Sequence, residues 1–152
     1  MSDLERAVAW ATEMRAVHQR LRDALEVARD AVEDGEGILG RDLLLHCWGF
    51  CAALSGHHAG EDSHLFPAVL AGHPELEPVL MKLRQDHSMI EHLLGAFRAA
   101  VDARADPAAL LGHVEGIEAV MESHFGYEER QLLGVLETTS LDAEPGDVFG
   151  PL

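Results

Sequence analysis

The stretch Gly56-His57-His58-Ala59-Gly60-Glu61-Asp62 sits in the middle of an apolar segment running from Leu43 to Leu70. Read as an α-helix, that segment places Leu43, Cys47, Phe50, Leu54 and Leu65 on one stripe at helical steps. His57 and Glu61 fall on the same stripe, where leucine is expected. An imidazole and a carboxylate are costly to bury alone, so the fold must bring something that satisfies them. Whatever this chain becomes, its core has to accommodate ionisable groups at mid-helix.

The same substitution recurs on three further amphipathic segments. The first opens with a capping box, Ser2 to Glu5, and carries Leu4, Val8, Ala11, Met14, Leu21, Leu25, Ala28 and Val32. His18 lies in the gap of that stripe, and the helix is expected to end near Glu33, before Asp34-Gly35-Glu36-Gly37. The second helix starts near Gly40 and reaches Ser63 or beyond. Pro67 removes a backbone donor, which predicts a kink or an end near Leu65. The third stripe is Leu76, Leu80, Leu83, Ile90, Leu94, Phe97 and Val101, with His87 inside it and Pro74 and Pro78 blurring its start. Asp106-Pro107 reads as an N-cap and first turn for the fourth. That helix aligns Leu110, Val114, Ile117, Met121, Leu132 and Val135 with His124 and Glu128.

Four amphipathic helices with short connections predict an all-α fold, an antiparallel up-down-up-down four-helix bundle over residues 1–137. Residues 138–152 read as a short, irregular, acidic tail containing Gly and Pro, with Val148, Phe149 and Leu152 packing back loosely. The length of 152 residues suits one domain with its own core, and 5% aromatics against 47% hydrophobic residues favours helix over sheet. A formal charge of −16 argues against nucleic-acid or anionic-membrane partners and is compatible with metal cations. The start lacks a basic stretch followed by an apolar one, and no run is long enough to span a bilayer. The expectation is a soluble, cytoplasmic protein, monomeric or weakly homodimeric. Cys47 and Cys51, one turn apart on a helix, suit a disulfide poorly and read as small core residues.

Ten histidines are the oddity. A lone histidine on an apolar helix face is ordinarily a satisfied core residue; one on each of four helices is a pattern. His18, His57, His87 and His124 each lie near mid-helix, and in an antiparallel bundle such positions meet at one level. His57-x-x-x-Glu61 and His124-x-x-x-Glu128 add an oxygen donor on the same face, about 5–6 Å away between Cβ atoms. Imidazole and carboxylate without thiolate suit iron or manganese, and two carboxylates able to bridge suit a two-metal centre. His46 lies about 16 Å up the helix from His57 by the rise per residue, and His73 and His113 read as surface residues. His58 points about 100° away from His57 and is expected beside the site or exposed. His64, one turn below Glu61, is placed to cap the site or to hydrogen-bond a ligand. Glu91 is the four-residue partner of His87 at the flank of its stripe. Tyr127 is either a core residue with a hydrogen-bonded hydroxyl or a phenolate ligand.

The set His18, His57-His58-x-x-Glu61-Asp62, Asp86-His87 and His124-x-x-x-Glu128-Glu129 resembles the hemerythrin family, particularly bacterial hemerythrin-like (HHE cation-binding) domains, over Leu4 to Glu137. The resemblance implies an oxo- or hydroxo-bridged pair of non-haem iron ions. Glu61 and Glu128 would bridge, and His18, His57, His87 and His124 would be terminal ligands, with manganese or zinc as possible substitutes. Two departures bear on function. Oxygen-carrying hemerythrins have a second histidine four residues after that of helix 3, where this chain has Glu91. They also close on a five-residue His-to-Asp step, where this chain has four residues to Glu128. More carboxylate and less imidazole favours the ferric state and works against reversible oxygen carriage. The expected function is reaction with hydrogen peroxide or O2, with catalase-like peroxide disproportionation first and Glu91 accepting the proton of peroxide. The alternative is a non-catalytic module that binds or senses O2, NO or iron. A ferritin-like carboxylate protein ranks third, since only Glu61-x-x-His64 matches its paired motif.

Overall fold

The computed structural model describes residues 3–34, 40–139, 141 and 143–150. Four long helices carry the fold: α1 (Asp3–Glu33), α2 (Gly40–Gly60), α4 (Glu77–Asp102) and α5 (Pro107–Leu136). Two short ones, α3 (Phe66–Gly72) and α6 (Pro145–Phe149), complete it, and no strand occurs among the described residues. The Ser2 capping box, the Gly35–Gly37 link and Leu152 lie outside the described residues.

The long helices pack as a helical bundle: α1 against α2 and α5, and α4 against the same two. Each turns its apolar stripe inward. Met14, Val17, Leu21 and Leu25 of α1 meet Leu83, Ile90, Leu94 and Phe97 of α4 and Ile117, Met121 and Leu132 of α5 in one core. Cys47 and Cys51 are free and buried in it. Burial pushes their thiols up to about 12 and about 11, which keeps them protonated. Asp106 caps α5 as its sequence predicts, its carboxylate accepting the Ala109 N–H at 2.8 Å.

Two features differ from the expectation. The irregularity imposed by Pro67 starts upstream of Leu65: α2 ends at Gly60, a π-helical turn spans Glu61–Leu65, and α3 resumes with Pro67 in its first turn. The Phe66 N–H bonds the Glu61 carbonyl, five residues back. A proline lacks the donor for the usual i−4 bond, and a widened turn before it absorbs the mismatch while the chain stays helical. The second difference is the C-terminal segment, which is not loose. Val148 and Phe149 are buried, and α6 lies against α2 and the π-turn.

Candidate metal centre

The π-turn begins at the residue that carries most of the site. Glu61 is fully buried at the centre of the bundle and belongs to two groups of potential ligands. His18, His57, Glu61 and Glu128 form one; His58, Glu61, His87 and His124 form the other, with the ligand atoms of each group within 4.8 Å of one another. Helices α1, α2, α4 and α5 each contribute an imidazole, and all seven side chains are at most 3% exposed. Glu61 Oε1 lies 3.3 Å from His57 Nε2 and 3.4 Å from His87 Nε2. Glu128 spans the groups too, with Oε1 at 3.0 Å from His18 Nε2 and Oε2 at 3.6 Å from His124 Nε2.

Four of the five imidazoles are held from behind. The Nδ1–H of His87 donates to Asp62 (2.9 Å), that of His124 to Asp86 (3.1 Å), that of His18 to Glu129 (3.3 Å) and that of His57 to the Phe149 carbonyl (3.0 Å). For His57, His87 and His124 this leaves Nε2 facing the cluster as a lone-pair donor, whereas His18 Nε2 is hydrogen-bonded to Glu128. His58 is held differently, its ring stacked on that of His87 with centroids 3.9 Å apart.

Without a cation the cluster is a set of unmet demands. His57 Nε2, His58 Nδ1 and Nε2, His87 Nε2, His124 Nε2, both oxygens of Glu61 and Oε2 of Glu128 are buried with no hydrogen-bond partner. Such atoms cost free energy unless something electrophilic meets them. Burial, helped by the charge on His18, pushes His57 down to about 3, and burial likewise lowers His58 and His124. Burial also opposes a charge on His18, but its bonds to Glu128 and Glu129 prevail and raise it. The two carboxylates divide. Burial and the neighbouring Glu128 charge push Glu61 well up, whereas for Glu128 the bond from His18 and the charges of His18 and His124 overcome burial and hold it well down. Two metal cations would relieve all of this at once, so the donor set fits the group that its chemistry implies.

The structure brings His18, His57, Glu61, His87, His124 and Glu128 to one place. His58 joins them, contrary to the expectation that it lies beside the site or at the surface. The helical wheel carries the missed signal. At 100° per residue, Glu61 lies about 40° from His57 and about 60° from His58, so it bisects them and one carboxylate serves an imidazole on either side. Asp62 and Asp86 follow a similar logic: each neighbours a ligand in sequence but reaches the imidazole of another helix.

The remaining candidates fall elsewhere. His64 is exposed on the π-turn and is in neither group. Tyr127 is half-buried against the core, with Lys82 Nζ 4.8 Å from its ring centroid. Glu91 is exposed and accepts a hydrogen bond from Ser55. It lines a cleft of about 540 Å³ together with Ser55, Ala59, Ser88, Asp62, His58 and His87. The cleft thus opens on the second ligand group. On the first, Phe125 stacks over His18 at 3.9 Å. His73 pairs with exposed Glu75, and His46 and His113 lie outside both groups.

The sequence model of the hemerythrin HHE cation binding domain matches residues 11–136. That range contains all seven side chains of the two groups. No curated protein and no solved structure matches the chain.

Proposed function

Because the chain belongs to the hemerythrin HHE cation-binding family, we propose that its buried cluster holds two iron ions and reacts with hydrogen peroxide or O2. The observation that carries this reading is the concentration of buried, partnerless imidazole and carboxylate atoms, eight in all, in the two groups that share Glu61. Only nitrogen and oxygen donors converge there, since Cys47 and Cys51 lie elsewhere in the core, and that donor set suits iron, with manganese or zinc as substitutes. The bundle's neighbour relations, and the short Ala103–Asp106 connection between α4 and α5, support an up-down-up-down course.

Bound iron would supply a redox pair able to exchange electrons with a small oxidant. The chain's own groups bias that chemistry. Carboxylates behind His18, His87 and His124 pull on the Nδ1 protons and strengthen the donation of the other nitrogens, which favours the more highly charged metal. A ferric-leaning site suits peroxide better than reversible oxygen carriage. In disproportionation, two molecules of hydrogen peroxide give one of dioxygen and two of water. One peroxide loses two electrons and two protons, and the other gains them. In this reading Glu91, which shares the cleft wall with His58 and His87, takes up and returns a proton, while the other carboxylate of that wall, Asp62, is engaged by His87.

The test is an oxygen electrode with iron-loaded protein. Oxygen evolution should scale with bound iron, vanish in His57→Ala, and fall on the order of 100-fold in Glu91→Gln at unchanged iron content. Evolution no faster than free ferric iron would leave the second reading, a module that binds or senses O2, NO or iron. The full burial of the ligand set supports that alternative.

A further inference from the structure

The segment that closes the site from behind His57 lies outside the residues the family model matches. Three contacts seat it. The Phe149 carbonyl accepts the His57 Nδ1–H at 3.0 Å. The Phe149 ring packs between His57 and Trp10 of α1, 5.9 Å from each centroid to centroid. Two glycines then allow main chain to touch main chain. A Cβ on Gly60 would stand 2.6 Å from the Val148 carbonyl oxygen. A Cβ on Gly150, at φ 91°, would stand 2.8 Å from the His57 backbone nitrogen. No side chain of L configuration fits either place without moving the segment. Val148 and Phe149 are buried as deeply as any core residue.

We propose that residues 143–150 form a strap that positions His57, and that the metal held by His18, His57, Glu61 and Glu128 is retained tightly only while the strap is seated. His18, His87 and His124 are oriented by carboxylates of the helices themselves, whereas His57 depends on a backbone carbonyl from beyond the bundle. Lifting the strap removes the acceptor that fixes the His57 tautomer, while the His58, Glu61, His87 and His124 group keeps all its partners. The two metal positions are therefore expected to respond unequally. Loss of such an outer hydrogen bond typically weakens metal affinity about 10–100-fold. The inference rests on the two-metal reading for its metal consequence but not for its tautomer consequence.

The experiment uses Gly60→Ala and Gly150→Ala, which push the strap away by two independent routes, with Gly134→Ala as control, since a Cβ there meets nothing within 4 Å. In metal-free protein, nitrogen NMR of the His57 ring should show the Nδ1–H tautomer in the parent and the control, and a tautomer mixture in both strap variants. In anaerobic titration with ferrous ion, parent and control should take up two equivalents tightly. Each strap variant should take up one as before and bind the second about 10–100-fold more weakly. An unchanged His57 tautomer in both variants overturns the proposal. So does equal weakening of both equivalents alongside a lowered melting temperature, which is what a merely structural strap would give. If the parent binds fewer than two ions, the two-metal reading fails, and the tautomer readout alone decides the strap.

Discussion

His58 is the residue whose surroundings say most about the centre. It is buried, both ring nitrogens lack a protein partner, and its neighbours include the His87 ring and the walls of the cleft. A partnerless buried polar group ordinarily costs about 1–3 kcal/mol. A metal-free protein therefore carries His58 as a burden, and a metal-loaded one would use it as a ligand. His58→Leu should accordingly raise the melting temperature of chelator-treated protein while weakening one of two ferrous equivalents at least tenfold. Calorimetry and metal titration on the same preparations check both signs, and a core residue with no metal role would leave the titration untouched. Six of the seven clustered side chains were legible from sequence because each interrupts an apolar stripe. His58 was not, because a stripe is a line, and a carboxylate shared between two metals needs donors on both sides of that line.

Among the elements, α5 was the most legible and the stretch from α2 to α3 the least. Asp106 and Pro107 announce the start of α5 by local chemistry, and a sustained period runs from Leu110 to Leu132, after which Leu136 rather than the expected Val135 is buried. Asp106→Ala removes the acceptor for the Ala109 N–H and should cost about 1 kcal/mol, seen as a lower melting temperature with both metal equivalents retained. Loss of metal from that variant would mean that the centre depends on the far end of α5, which the packing does not suggest. Pro67, by contrast, tells the reader that a hydrogen bond is missing but not where the slack is taken up. The answer, the π-turn at Glu61–Leu65, is set by the need to bury Leu65 at its end and Phe66 and Val69 after it. The five residues of α6 are too few to show any period, and their seating includes main-chain contact at Gly60 and Gly150. Such a contact depends on the tertiary fold and leaves no mark in a local pattern.

At the scale of the whole molecule, the chain joins a formal charge of −16 to a core holding five imidazoles and two carboxylates. No helix among the described residues is long and apolar enough to cross a membrane. The burial that gathers these groups also dictates how the metal-free protein responds to acid. His57 titrates at about 3 when folded and near 6.5 when unfolded. Between those values the unfolded chain binds a proton that the folded one refuses, so stability falls as pH drops through that window. His58 and His124, also lowered, act in the same direction. His18 is raised and opposes them: its contribution is complete below 6.5 and lost as pH rises through its folded value. Raised Glu61 sides with His18, its contribution lost as pH rises above 4.5, whereas lowered Glu128 loses its contribution only as pH falls below 4.5. Three lowered imidazoles, His57 by far enough to span the whole window, outweigh His18 and Glu61 and leave a net loss in acid. Bound metal steepens it, because every ligand must be deprotonated to hold the ion and acid releases metal and its stabilisation together. Melting curves of chelator-treated and metal-loaded protein should both move to lower temperature from pH 7 to pH 4.5. The loaded form should fall faster and merge with the metal-free curve at the acid end. A metal-free melting temperature that stays flat or rises over that range would show that the imidazoles of the core are not the neutral, buried donors on which the centre depends.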